Sequence, residues 1–105
     1  MNKKTKVFKI RNDVNDLADM IKSIAHPERL QILNLMCNSG SAGPGRLSVK
    51  NIYETLKLEQ SIVSRHLGIM KRGGFLKKEV EGRKTYYCLN EKSPAYTCAL
   101  RLFIK

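Results

Sequence analysis

Glu59-Gln60-Ser61-Ile62-Val63-Ser64-Arg65-His66-Leu67-Gly68-Ile69-Met70-Lys71-Arg72 is the stretch whose reading decides the fold. Placed on a helix at 100° per residue, Val63, Leu67 and Met70 form a narrow apolar stripe, with Ile62, His66 and Ile69 along one flank. Ser61, Ser64, Arg65, Gly68 and Arg72 occupy the opposite face, and Lys71 lies at its edge. That face suits a helix lying in a DNA major groove. Arginine can fork onto guanine, short hydroxyls reach base edges or phosphates, and a glycine lets the backbone approach closely. It equally suits an ordinary surface helix with solvated charges. The flanking segments separate the two.

The 105 residues predict a single domain, large enough for a core but not a generous one. A hydrophobic share of 42% marks a globular chain, and a formal charge of +11 points to a polyanionic partner. Ribosomal and membrane-surface proteins share that charge, so it excludes little alone. No apolar run approaches the ~18 residues that span a bilayer. The start, Met1 to Arg11, lacks the apolar core of a signal peptide, so a cytoplasmic location is expected. Three cysteines without close pairing do not make a disulfide framework.

Residues 1–12 read as a basic tail, with Lys3, Lys4, Lys6, Lys9 and Arg11 and no acid among the first eleven residues. It is either a frayed, solvated end or an arm adding phosphate contacts. The domain proper is expected over 13–105. From Asp13, apolar residues at Val14, Leu17, Ala18, Ile21, Ile24 and Ala25 predict an amphipathic helix capped by Asn12 or Asp13. Pro27 suits the first position of a second helix, whose apolar residues run through Met36 and Cys37 and predict a buried centre. Asn38 to Gly45 is a loop. Its glycines have phosphate-loop spacing, but Arg46 and Leu47 follow where Lys and Ser or Thr are needed, so a nucleotide site is rejected.

Leu47-Ser48-Val49 is either a short strand or, through Ser48, the cap of a helix with the stripe Val49, Ile52, Tyr53 and Leu56. A connection of about four residues, Lys57 to Gln60, then leads into the opening stretch. Two helices so joined make a helix-turn-helix. Gly73-Gly74 ends the second with residues able to take positive φ. Phe75–Val80 and Lys84–Leu89, joined by Glu81-Gly82-Arg83, predict a hairpin. A hairpin in that place is a wing, with Arg83 and Lys84 at its tip for a minor groove or a phosphate. The fold class is therefore mainly α with a small hairpin: a winged helix-turn-helix of about five helices and a two- or three-stranded sheet. Ser93-Pro94 starts a last helix, apolar nearly all round through Tyr96, Leu100 and Phe103. Such a helix predicts packing against a second chain, together with Leu17 and Ile21 of the first helix.

These segments resemble the ArsR-type winged-helix repressors. His26-Pro27-Glu28-Arg29-Leu30-Gln31-Ile32-Leu33 resembles the family's D-P-T-R-L-x-I-L start of its second helix. Leu58 to Leu67 resembles its L-S-Q-S-x-V-S-x-H-L recognition segment. Gly74-Phe75-Leu76 with Glu81 to Tyr87 resembles its wing. The likeness spans roughly residues 14–104, with three motifs in order. It implies a homodimer on a palindromic double-stranded DNA operator, released by a signal. By position it assigns Gln60, Ser61, Ser64, Arg65 and His66 to DNA, and Arg83 to the wing contact. Arg72 and Lys84 join this set from the helix wheel and the wing tip.

Departures from the family pattern narrow the chemistry. Many members bind metal through Cys-x-Cys before the turn; here Leu47-Ser48-Val49-Lys50-Asn51 offers no thiolate. Others use acid and histidine ligands in the last helix, and Tyr96 to Lys105 has no Asp, Glu or His. No metal and no cofactor is expected. His26 replaces the usual capping Asp, a poorer cap at a cost of ~1 kcal/mol. With the metal sites gone, thiol chemistry remains. Cys37 at the end of the second helix and Cys98 on the last, neighbours in this architecture, are either small buried apolar residues or a redox pair of the kind through which some members switch. Their first cysteine falls about where Asn34 stands, so Cys37 is not a positional match, and Cys88 is expected to be a strand residue. No nucleophile–base–orienter set is visible, so an enzyme is not expected. The leading expectation is a sequence-specific DNA-binding transcriptional regulator, a dimeric repressor. The alternative is a winged-helix module that binds protein or RNA. A gel shift on promoter fragments separates them.

Overall fold

The structure is a computed structural model and describes residues 10–38, 46–93, 96, 97 and 101. Among the described residues four helices and a small sheet follow in the order α1 (Ile10–Ile24), α2 (Pro27–Asn38), β1 (Leu47–Ser48), α3 (Val49–Leu56), α4 (Gln60–Arg72), β2 (Leu76–Glu81) and β3 (Lys84–Leu89). Most of the basic tail, the loop interior and Cys98, Leu100 and Phe103 of the expected last helix lie outside the described residues; 96, 97 and 101 are helical. α1 starts at Ile10, two residues before Asn12 and three before Asp13, the expected caps. Asn12 and Asp13 thus lie within its first turn rather than before it.

Residues at caps explain the helix boundaries. The His26 ring does what an aspartate would do at the start of α2. Its Nδ1 accepts from the Glu28 N–H at 3.0 Å, while its carbonyl accepts from Leu30. The expected penalty for a poor cap therefore falls away. Ser48 serves as both strand end and cap: it pairs with Tyr86 across the sheet and accepts from the Asn51 N–H at 3.0 Å. Lys57, in the left-handed conformation (φ 58°), closes α3 and leaves a three-residue turn before α4. At the end of α4 the Gly74 N–H meets Lys71 O and the Phe75 N–H meets Met70 O, the paired bonds of a Schellman stop. Gly74 alone takes positive φ there (91°). Gly73 is right-handed and is glycine for another reason: a Cβ on it would overlap the Ser23 side chain of α1.

The sheet has the order β1-β3-β2, all antiparallel, and Gly82-Arg83 makes a two-residue turn with φ 62° at Gly82. Register decides its faces. Leu76, Lys78 and Val80 share a face with their partners Leu89, Tyr87 and Thr85. Lys77, Glu79 and Glu81 share the other with Cys88, Tyr86 and Lys84. The first face turns to the helices: Leu76, Tyr87 and Leu89 join Ile32, Leu33 and Met36 of α2, Ile52 of α3 and Val63, Leu67 and Met70 of α4 in one core. α2 is the buried centre in part only; Leu30 and Gln31 are exposed. Fully burying aliphatic side chains of this size stabilises the fold by ~1.5–3 kcal/mol each, which holds α4 by its apolar stripe and leaves its other face to solvent. Among the described residues no helix is long and apolar enough to cross a membrane.

Candidate nucleic-acid interface

α3 and α4 form the helix-turn-helix, and the wing rises beside them. Gln60, Ser61, Ser64, Arg65 and Arg72 of α4 are exposed, as are Arg83 and Lys84 at the wing tip. The structure brings most of these together around one trough of about 810 Å³. Gln60 and Ser64 line it from α4, Arg83, Lys84 and Thr85 from the wing, and Lys50 and Asn51 from α3. Arg72 stands apart at the far end of α4, in a depression shared with Asp19 and Lys22 of α1. Gly68 lies on the same polar face. A Cβ there would meet only Arg72 Nη1, at an ordinary 3.7 Å, so no contact among the described residues requires the glycine. A mid-helix glycine costs ~0.5–1 kcal/mol against alanine, so its use points to something outside the chain approaching the backbone.

His66 does not belong to this surface. It is 5% exposed and both ring nitrogens are engaged inside the protein. Arg29 Nε donates to Nδ1 at 3.2 Å, and because guanidinium cannot accept, Nε2 carries the proton and donates to Glu28 Oε1 at 2.8 Å. Arg29 also donates from Nη1 to Ser23 O at 3.1 Å, tying the end of α1 into the same junction. The expectation that His66 meets DNA is thus corrected. Three residues after Val63 and four before Met70, it falls within the apolar sector, and the α2 residues Glu28 and Arg29 satisfy it there.

His26, Glu28 and His66 place ligand atoms within 4.8 Å of one another, a spacing that invites a metal. The hydrogen bonds argue against it. Both rings use Nδ1 as acceptor from fixed N–H donors, so both protons sit on Nε2. Ligation through Nε2 would move each proton to Nδ1, against the donors of Glu28 and Arg29. The tilted rings, 4.7 Å apart, are a packed hydrogen-bond junction between α2 and α4. Ser48, where the resemblance would put a thiolate, offers only a hydroxyl, and that hydroxyl is engaged as a helix cap.

Arg46 is a support of the wing that sequence reasoning missed; it does not line the trough. Its guanidinium lies 4.1 Å from the Tyr86 ring centre, 2.8 Å from Glu81 and 3.5 Å from Glu79. The bond to Glu81 foremost holds its pKa above the usual value. This clamp ties the wing to the segment before α3 and sets one positive charge between the wing's two acids, on the side away from the helices. Nothing local in Gly45-Arg46-Leu47 signals it.

Of the residues expected between two chains, Ile21 is 55% exposed and Leu17 half-buried, with Val14 beside them at 53%. Tyr96 packs against the core cluster. Burial pushes the thiols of Cys37 and Cys88 up from their ordinary value. Cys98, the other half of the expected redox pair, lies outside the described residues.

Comparison with known proteins supplies the wider context. The family described as bacterial regulatory protein, arsR family, matches residues 26–78. The transcriptional repressor PagR of Bacillus anthracis is 40% identical over 77 residues, covering 73% of this chain and 72% of PagR. Its crystal structure superposes with a TM-score of 0.67 at 38% identity, over 85% of this chain and 93% of that one. HlyU of Vibrio cholerae has a TM-score of 0.70 at 26% identity, over 91% and 100%. The homodimeric winged helix-turn-helix domain Mb0332 of Mycobacterium bovis shares the fold, with a TM-score of 0.71 at 24% identity over 94% and 82%.

Proposed function

Because this chain belongs to the ArsR family of bacterial regulatory proteins, transcriptional regulators built on a winged-helix DNA-binding domain, we propose that it is a homodimeric repressor of a palindromic operator. α4 lies in the major groove with Gln60, Ser61, Ser64 and Arg65 toward the bases, and Arg83 and Lys84 of the wing reach the neighbouring minor groove or its phosphates. Arg65 reads a base as a forked donor; the hydroxyls fix the register. The family consists of regulators, not enzymes. The observation that carries this reading is the exposed polar face of α4, centred on a glycine that no contact among the described residues requires.

PagR is named a repressor, which supports repression, and the Mb0332 domain is named homodimeric, which supports a dimer. The exposed Val14 and Ile21 of α1 offer part of the surface it would bury, with Leu17 beside them, and Leu100 and Phe103 are proposed to complete it. Selection of bound sequences from a random duplex pool, read by gel shift, tests the proposal. The expected product is an inverted repeat with half-site centres ~34 Å apart, one helical turn. Recovery of unrelated sequences, or of none, would overturn it.

A further inference from the structure

A helix in a major groove and a wing in the adjacent minor groove must straddle the sugar-phosphate strand between them. Whatever lines the trough from α3 to the wing therefore faces phosphates. Two of its lysines have no role in the recognition set: Lys50, in the first turn of α3, and Lys78, in β2. We propose that Lys50 and Lys78 hold this intervening phosphate strand from the two sides of the trough, and that Glu54 restrains the affinity. The inference rests on the DNA-binding reading above and adds a second, sequence-independent contact surface to it.

Register places Lys78 where the proposal needs it. It shares the face of Leu76 and Tyr87, so the sheet face that is core at its base becomes trough wall toward the tip. Glu79 and Glu81 pair with Arg46 and are not among the residues that line the trough. Among the described residues that line the trough, Glu54 is the one carboxylate. It meets Lys50 at 4.0 Å, with the two side chains 58% and 71% exposed. A pair so long and so exposed is weak, and Lys50 exchanges it readily for a phosphate. Glu54 then remains as a negative charge beside the strand.

The test is fluorescence anisotropy of the full chain on a random-sequence duplex, with salt varied, because phosphate contacts need no operator. Lys50→Ala and Lys78→Ala should each reduce the slope of log K against log salt by ~0.9 per copy bound, and weaken binding ~5-fold per copy at 0.15 M salt. Glu54→Gln should tighten binding about two-fold, a gain that misfolding cannot produce. Lys92→Ala, beyond the other end of β3, should leave the slope unchanged. A steep wild-type slope that survives both lysine substitutions overturns this inference alone. A wild type that shows no salt-dependent binding overturns the DNA reading with it. Equal slopes on double-stranded RNA, whose grooves differ, would overturn the assignment to a strand between major and minor grooves.

Discussion

Replacing His66 distinguishes a residue that holds the recognition helix from one that reads DNA. In His66→Leu the core volume is nearly kept, but Arg29 Nε and Glu28 Oε1 lose their partner. Bonds to charged groups contribute ~1.5–3 kcal/mol each, and the low end applies because Glu28 is one-third exposed and regains water. The sum is about 3 kcal/mol, a fall in Tm of roughly 12–20 °C for a domain of this size. His66→Gln can accept from Arg29 through its amide oxygen and donate to Glu28 through its amide nitrogen, so it should lose only ~1 kcal/mol. Circular dichroism melts give both numbers. Below the melt of each variant, affinity of His66→Gln for a selected duplex should stay within about three-fold of wild type, under ~0.7 kcal/mol. A His66→Leu protein with unchanged Tm and lost DNA binding would refute the junction between α2 and α4 and return the ring to the DNA surface.

Two further outcomes follow from single positions. Gly68→Ala should raise Tm by about 4 °C, from ~0.5–1 kcal/mol of helix propensity, yet weaken DNA binding; a lower Tm or unaltered binding contradicts the open helix face. Burial raises the pKa of the Cys37 and Cys88 thiols, so at neutral pH less of each is thiolate than in the unfolded chain. Alkylation by iodoacetamide, mapped by peptide mass, should be slower at both than in urea and should rise only above the ordinary thiol range. Reaction of Cys37 at the unfolded rate at pH 7 would contradict this.

Where the physics is local, the sequence carried the fold. The stripe Val63, Leu67, Met70, the proline after His26, Ser48 at a cap and the glycines of the turns each act within a few residues. What was not legible depends on contacts between distant segments. Gly73 reads as a flexible stop, but Ser23 of α1 is what excludes a side chain there. Arg46 reads as a loop cation until Glu79 and Glu81 come beside it through strand register. Lys78 reads as one more basic wing residue, and only its partner Tyr87 shows which face it takes. His66 was recoverable: the spacing 63, 66, 67, 70 puts it in the buried sector, and Glu28-Arg29 offers an acceptor and a donor. The family motif drew it to the DNA instead.

The central claim, that the exposed face of α4 reads bases while the wing holds backbone, is tested most directly by Arg65→Ala titrated on a selected duplex and on random DNA, with Arg83→Ala as the contrast. Arg65→Ala should lose ~1–3 kcal/mol on the selected site, relax specificity at one position of each half-site and change little on random DNA. Arg83→Ala should weaken both duplexes alike and lower the salt slope by ~0.9 per copy. Equal losses on both duplexes for both variants would contradict the claim and leave only a basic surface.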